Sequence, residues 1–166
     1  MPRIRLLPEC HADTTLVAFL VNDQNLYRHT LGSEVVGDMK AAAKDFEVVA
    51  GIVDNDITKP RYFDSFELIS ETNKVQLLQK PNSGEYLIVI MFKGAESFLL
   101  WNANEVGISL ADYGFATTVK GLIPRLKNIA IETDPDYLRL LTDLHTLQAP
   151  GFVTLHQLLN DLITTD

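Results

Sequence analysis

The stretch Phe46-Glu47-Val48-Val49-Ala50-Gly51-Ile52-Val53-Asp54-Asn55-Asp56 carries an unbroken apolar run that stops at two aspartates one residue apart. A short apolar run rich in β-branched residues predicts a strand buried on both faces, as in a parallel sheet. Ligands of open α/β sheets bind just beyond the carboxyl ends of the strands. Asp54 and Asp56 would stand there, and alternation along an extended chain puts residues two apart on the same side. Two neighbouring carboxylates repel each other unless a cation or a proton lies between them. Hard oxygen ligands suit Mg²⁺, with Mn²⁺ as the alternative ion. The competing reading is a plain polar turn, which Asp and Asn make routinely.

The preceding chain alternates strand and helix signals. Ile4-Arg5-Leu6-Leu7 predicts a short strand leading into Pro8-Glu9-Cys10-His11-Ala12-Asp13. From Asp13, a potential cap, Leu16, Val17, Phe19, Leu20 and Val21 fall at helical spacing, with a stop near Asn22-Asp23. Residues 26–30 alternate like a second strand, broken by Gly32-Ser33, and Ser33 then caps a helix over 34–45. This β-α-β-α-β order predicts an α/β fold with a mostly parallel central sheet flanked by helices. Glu9 follows the first strand and Asp54/Asp56 the third, at one edge of the sheet. Three carboxylates there suit one or two divalent ions that polarise a phosphodiester and activate water. Glu9 would be a metal ligand or a general acid/base.

After the aspartates, Lys59-Pro60 marks a turn, and residues 61–69 predict a short helix carrying Tyr62, Phe63 and Phe66. Those aromatics serve a core or lid, or stack bases beside Lys59 and Arg61. Residues 75–78 and 86–91, joined by Pro81-Asn82-Ser83-Gly84, predict a hairpin. Gly94 opens a helix over 95–102. The last third is helical: residues 109–113, then 118–128 interrupted at Pro124, then a helix started by Thr133-Asp134-Pro135-Asp136 and running to Leu147. After a loop at Ala149-Pro150-Gly151, Thr154 caps a final helix over 156–163. The leucines of this tail cover the sheet or form a subunit interface. No repeat or long linker divides the chain, so residues 1–166 are expected to be one domain with 109–166 a helical extension packed on it.

Composition narrows the function classes. With 46% apolar residues in 166, the chain can bury an ample core. Its longest apolar runs are well short of the ~20 residues of a membrane span, so no membrane partner is expected. The stretch after Met1-Pro2-Arg3-Ile4-Arg5 meets Pro8 and Glu9 too early for a signal peptide. A single cysteine, Cys10, allows no internal disulfide and fits a reducing cytoplasm. Beside His11 it is either a nucleophile or, as favoured here, a small filler residue. None of His11, His29, His145 and His156 has metal-ligand spacing with another, though His11 is near enough to Glu9 to join a site. The net charge of −8 argues against a wide basic surface for duplex nucleic acid. It leaves room for a small phosphate site built on a metal. A longer DNA or RNA footprint needs a local basic patch, a protein partner or a second copy of the chain.

The segment Glu9-Cys10-His11-Ala12-Asp13 resembles the Glu-Gly-x-x-Asp motif of the Toprim fold, with cysteine in place of the glycine. Val53-Asp54-Asn55-Asp56 resembles its Asp-x-Asp motif, and the strand–helix order before it matches over roughly the first half of the chain. The fold is shared by topoisomerases, bacterial primases and OLD-type nucleases, many of them in phage defence. The resemblance implies a Mg²⁺-dependent protein acting on nucleic-acid phosphodiesters, most simply a nuclease or nuclease subunit. Glu9 would be the general acid/base or a metal ligand, and Asp54 and Asp56 metal ligands. Thr58 stands where some members carry a third acid. Lys93-Gly94-Ala95-Glu96 is similar to an element that small Toprim-like proteins place after a late strand. Glu96 would then complete the metal shell while Lys93, and Lys59 in the turn, meet the substrate phosphate. The other use of Glu96 is as a solvated acid at a helix start. The same fold also serves as a non-catalytic binding or regulatory module.

A second resemblance falls on the same residues. Asp54-Asn55-Asp56-Ile57-Thr58 is similar to the Asp-x-Asp-x-Thr motif of haloacid-dehalogenase-type phosphatases. That implies Asp54 as nucleophile, Asp56 as acid/base and Mg²⁺ as electrophile. Those enzymes carry the motif on their first strand and a later acidic pair at strand ends. Here two β-α units come first, and Asp134 and Asp136 fall at a helix start, so this reading ranks second.

Overall fold

A computed structural model describes residues 3–55, 60–90 and 94–165. Asp56, Lys59 and Lys93, with Thr58, lie outside the described residues. Within the described residues, five strands form one sheet: β1 (Ile4–Pro8), β2 (Val48–Asp54), β3 (Glu67–Thr72), β4 (Val75–Gln79) and β5 (Glu85–Ile90). Their order is β1-β2-β5-β4-β3. The apolar run is β2, flanked by parallel partners β1 and β5. The β5–β4 and β4–β3 ladders are antiparallel. The sheet is therefore mixed, which corrects the mostly parallel sheet expected. The cause is local: tight turns can join only antiparallel strands. One is the anticipated 81–84 turn, and the other is Asn73-Lys74, where φ is 49° and 67°, the two left-handed residues of a hairpin loop.

Residues 26–30 run beside the outer edge of β1. Leu6 N donates to Leu26 O, Arg28 N to Leu6 O and Thr30 N to Pro8 O, at 2.8–2.9 Å. Only Leu6–Tyr27 forms a full parallel bridge, so the expected second strand is reduced to an edge segment held from one side.

Among the described residues, six helices flank the sheet: α1 (His11–Val21), α2 (Val35–Ala42), α3 (Ala95–Glu105), α4 (Val119–Leu126), α5 (Pro135–Thr146) and α6 (Pro150–Thr164). Strand alternation sorts the core into two layers. Ile4, Leu6, Val48, Ala50, Ile52, Ile88 and Ile90 face α1 and the C-terminal helices. Leu7, Val49, Val53, Leu87 and Val89 face Val35 and Met39 of α2, with Phe63 and Phe66. α6 docks on α3 through buried Asn102, whose Oδ1 accepts from Gly151 N at 2.8 Å, and through stacked Phe98 and Phe152.

Several element boundaries differ from expectation. α1 starts two residues before Asp13, because Cys10 is the cap: its Sγ accepts from Asp13 N at 3.3 Å. α2 ends at Ala42 and has no side-chain cap from Ser33, since Glu34 occupies that position. Residues 61–69 do not form one helix. A single 3-10 turn, Arg61–Ser65, ends where Phe63 and Phe66 meet edge to face, and β3 follows. Pro124 lies inside α4 without splitting it. α6 begins at Pro150, in the first-turn position that proline favours, so Ala149-Pro150-Gly151 starts the helix and Thr154 sits inside it. Among the tail leucines, Leu140, Leu141, Leu144, Leu155, Leu159 and Leu162 are buried while Leu138 and Leu147 are exposed. Among the described residues no helix is long and apolar enough to cross a membrane.

Candidate functional site

Parallel pairing of β1 with β2 sets the site. Pro8 is level with Ile52, and Glu9 N donates to Ile52 O at 3.0 Å. This places the Glu9–Asp13 segment beside the carboxyl end of β2. On the other side, Asp54 pairs with Ile90 of β5. Asp54 shares its parity with Val48, Ala50 and Ile52, so its side chain leaves the sheet on the α1 face.

There it meets Asp13, in the first turn of α1. Asp13 is fully buried, and its carboxyl lies within hydrogen-bond reach of the Cys10 thiol and the Asp54 carboxylate. Burial pushes the Asp13 carboxyl well above the ordinary range, and the negative charges of Asp54 and Glu9 push it further. Cys10 lies against the pair; burial raises its thiol strongly, with Asp13 and Asp54 adding to the effect. Glu96, in the first turn of α3 and 5% exposed, is raised by burial and by the charge of Asp54. A raised, buried thiol is a poor nucleophile at neutral pH, which fits a packing and capping role for Cys10. The fully buried hydroxyl of Tyr137 from α5 donates to Ala12 O at 3.1 Å and ties the C-terminal helices to the first turn of α1.

Gly94 holds Asp54 from the β5 side. Its φ of 94° and ψ of −161° fall in a region essentially reserved for glycine. A Cβ built there would lie 2.6 Å from Asp54 Oδ2. Gly94→Ala is expected to cost about 1–3 kcal/mol of stability from backbone strain and to displace the Asp54 carboxylate. Urea unfolding checks the first effect, and the position of Asp54 in a crystal structure of the variant checks the second.

Among the predicted site residues, the structure brings Glu9, Asp54 and Glu96 to one edge of the sheet. Glu9 is turned partly outward, its Oε1 close against Gly32. His11, a candidate neighbour of Glu9, instead donates from Nδ1 to Glu132 Oε1 at 3.0 Å and stacks on His29, ring centres 4.5 Å apart. Burial lowers the His29 imidazole, and His11 lowers it further. His145 and His156 pack edge to face far along the helical tail. Asp134 caps α5 and pairs with Arg125 at 2.9 Å, and Asp136 pairs with the same arginine at 3.3 Å. Both acids of that pair are therefore engaged structurally. Tyr62, Phe63 and Phe66 form an aromatic cluster against the α2 face of the sheet.

Asp13 is the member that sequence reasoning missed. It stood inside the Glu9–Asp13 segment, but an acid in the first turn of a helix has an ordinary explanation in the helix dipole. Only its burial against Asp54 separates the two uses.

Among the described residues, no three His, Cys, Asp or Glu side chains are grouped so as to hold a metal ion. The adjacent carboxylates of Asp13 and Asp54 still suit Mg²⁺, which keeps several waters and takes one or two protein carboxylates beside substrate phosphates. A buried acid next to a second acid is the chemistry that a proton or a hard cation relieves. Comparison with protein families, with curated proteins and with solved structures finds no match.

Proposed function

We propose that the protein is a Mg²⁺-dependent, Toprim-like protein acting on nucleic-acid phosphodiesters, most simply a nuclease or a nuclease subunit. The observation that carries this reading is the buried Asp13–Asp54 pair at the carboxyl end of parallel β1 and β2, with Glu9 and Glu96 beside it. The motif residues and their place at the carboxyl edge of two parallel strands support it. Asp13 and Asp54 would hold the cation, and Asp56 belongs to the same motif. When bound, such an ion polarises a phosphodiester and activates water. Glu9, more open than Asp13, is suited to carry a proton to or from the substrate at its Oε atoms. Glu96, its carboxyl raised by burial and by the charge of Asp54, stands at the inner wall of the site. With a net charge of −8, the chain works most simply beside a protein partner or a second copy that adds positive surface.

Calorimetry tests the cation. Wild-type protein is expected to bind Mg²⁺ or Mn²⁺ at up to millimolar concentration, and Asp54→Ala to lose at least ~90% of that binding, a shift of about 1.4 kcal/mol or more. Absence of any divalent binding by the wild type sinks the reading. Activity then separates it from the phosphatase alternative. Cleavage of plasmid DNA or of RNA that needs both Asp54 and Glu9 is expected. Turnover of a small phosphomonoester that needs Asp54 but tolerates Glu9→Gln would assign the chain to phosphatase chemistry instead.

A further inference from the structure

We propose that Arg5 and Arg28 form a phosphate-binding subsite, on the sheet face opposite the Asp13–Asp54 pair, that takes a phosphodiester of a single nucleic-acid strand. The ligand class rests on the function proposed above; the site itself stands on separate residues. Arg5 lies on β1 and Arg28 on the adjoining edge segment, where Arg28 N donates to Leu6 O at 2.9 Å. Alternation turns both side chains to the α2 face. They line a cavity of about 190 Å³ with Leu7, Phe46, Asp38 and Asp45.

Two features mark the cavity as a binding site. First, among the described residues neither arginine is taken up by an acid. Arg125, Arg139, Lys80 and His11 make the ion pairs found among the described residues, and neither Arg5 nor Arg28 joins one. In a chain with 22 acids and 14 bases, two such guanidinium groups converging on one cavity need a reason. Second, Arg5 is pre-positioned. Its guanidinium lies 4.5 Å from the centre of the Phe46 ring. Stacking engages the flat face and leaves the in-plane N–H fork free for a phosphate.

The acids in the cavity shape the choice of ligand. Asp38 accepts the Thr30 hydroxyl at 2.5 Å, and Asp45 is exposed near the end of α2. With two cations and two carboxylates, the cavity has little long-range pull on a bare anion. A nucleotide offers more, because its sugar hydroxyl or base amino group can donate to Asp38 or Asp45 while its phosphate takes the arginines. Arg28 lies level with Leu6–Leu7, two or three residues below Glu9. That is about 7–10 Å along the strand direction at a rise of ~3.3 Å. A single strand that crosses the outer edge of the sheet, past residues 26–30, would reach this cavity and the acidic edge together.

The test is fluorescence anisotropy with a short labelled single-stranded oligonucleotide, at low salt and in EDTA so that no cation contributes. Wild type and Arg139→Gln, which removes one exposed cation from α5, are expected to bind alike. Arg5→Gln/Arg28→Gln is expected to raise Kd about tenfold or more and to lower the slope of log K against log salt by ~0.7 for each phosphate no longer neutralised. Arg5→Lys/Arg28→Lys, which keeps the charge but not the fork, is also expected to weaken binding, and its unfolding midpoint guards against a folding defect. Wild-type binding that is absent, or unchanged in both double variants, overturns the proposal. So does inorganic phosphate competing as well as unlabelled oligonucleotide, which would make the cavity a general anion pocket. Binding through these arginines without Mg²⁺ affinity would leave the subsite standing and remove the metal reading; Mg²⁺ affinity without oligonucleotide binding would do the reverse.

Discussion

Gly84→Ala is expected to lower the unfolding free energy by about 3 kcal/mol or more. A Cβ at position 84 would fall 1.9 Å from Glu47 O and 3.0 Å from its carbonyl carbon. The obstacle is backbone, so no rotamer change relieves it. Glu47 cannot retreat freely, because its N–H donates to Arg3 O at 2.8 Å. Gly84 cannot either, because its carbonyl accepts from Val49 N at 2.9 Å at the start of the β2–β5 ladder. Overpacking of this kind costs ~1–3 kcal/mol, and each ladder hydrogen bond forced open adds ~0.5–1.5 kcal/mol. Displacement at this end also disturbs the pairing that fixes Asp54 opposite Ile90. Gly37 provides the contrast. It lies inside α2 with nothing within 4 Å of a built Cβ, so Gly37→Ala is expected to stabilise by ~0.5–1 kcal/mol through helix propensity. Urea unfolding of the two variants should move the midpoint in opposite directions at similar m-values. A Gly84→Ala midpoint equal to that of wild type would mean that β2 and β5 are not held this close.

The parts of the fold that were legible in the sequence are those where a single local force dominates. The run Val48–Val53 became the buried strand β2 because β-branched side chains with no polar interruption suit little else. Asp134-Pro135 became a cap and first turn because both residues favour that geometry independently of packing. Errors arose where tertiary contacts decided. Residues 67–69 went to β3 because β4 offered a ladder next door. Pro150 began a helix because Asn102, nearly fifty positions earlier, accepts the Gly151 N–H. The mixed sheet followed from a second tight turn at Asn73-Lys74, whose left-handed residues carry only a weak local signal. For the site, the position of Asp54 at a strand end was readable from the run before it. The burial of Asp13 was not, because it depends on where α1 starts, and that depends on a cysteine cap that no sequence pattern favours.

Asp13→Asn is expected to stabilise the cation-free protein by ~1–3 kcal/mol near pH 8, the scale of the desolvation penalty of a buried polar group, while removing the response to Mg²⁺. The sign follows from proton linkage. Burial, then Asp54, holds the folded-state carboxyl of Asp13 well above its ordinary value. Between the ordinary aspartate range and that raised value, the folded chain binds more protons than the unfolded chain. Stability without a cation therefore falls as pH rises through that window, and Glu96, also raised, adds in the same direction. An amide at position 13 carries no charge to desolvate and can donate to Asp54, so the slope should flatten. A bound cation acts on the other side of the balance. At a hundred times its Kd it adds about 2.7 kcal/mol to wild type, and the variant should gain much less. Urea unfolding of both proteins at pH 5 and pH 8, in EDTA and in millimolar Mg²⁺, resolves the terms. The expected pattern is a crossover: the variant is the more stable in EDTA at pH 8, and wild type draws level or passes it once Mg²⁺ is present. A variant less stable than wild type in EDTA would show that the Asp13 carboxylate has a structural partner and that the pair is not poised for a cation. Equal stabilisation of both proteins by Mg²⁺ would place the cation elsewhere on the chain.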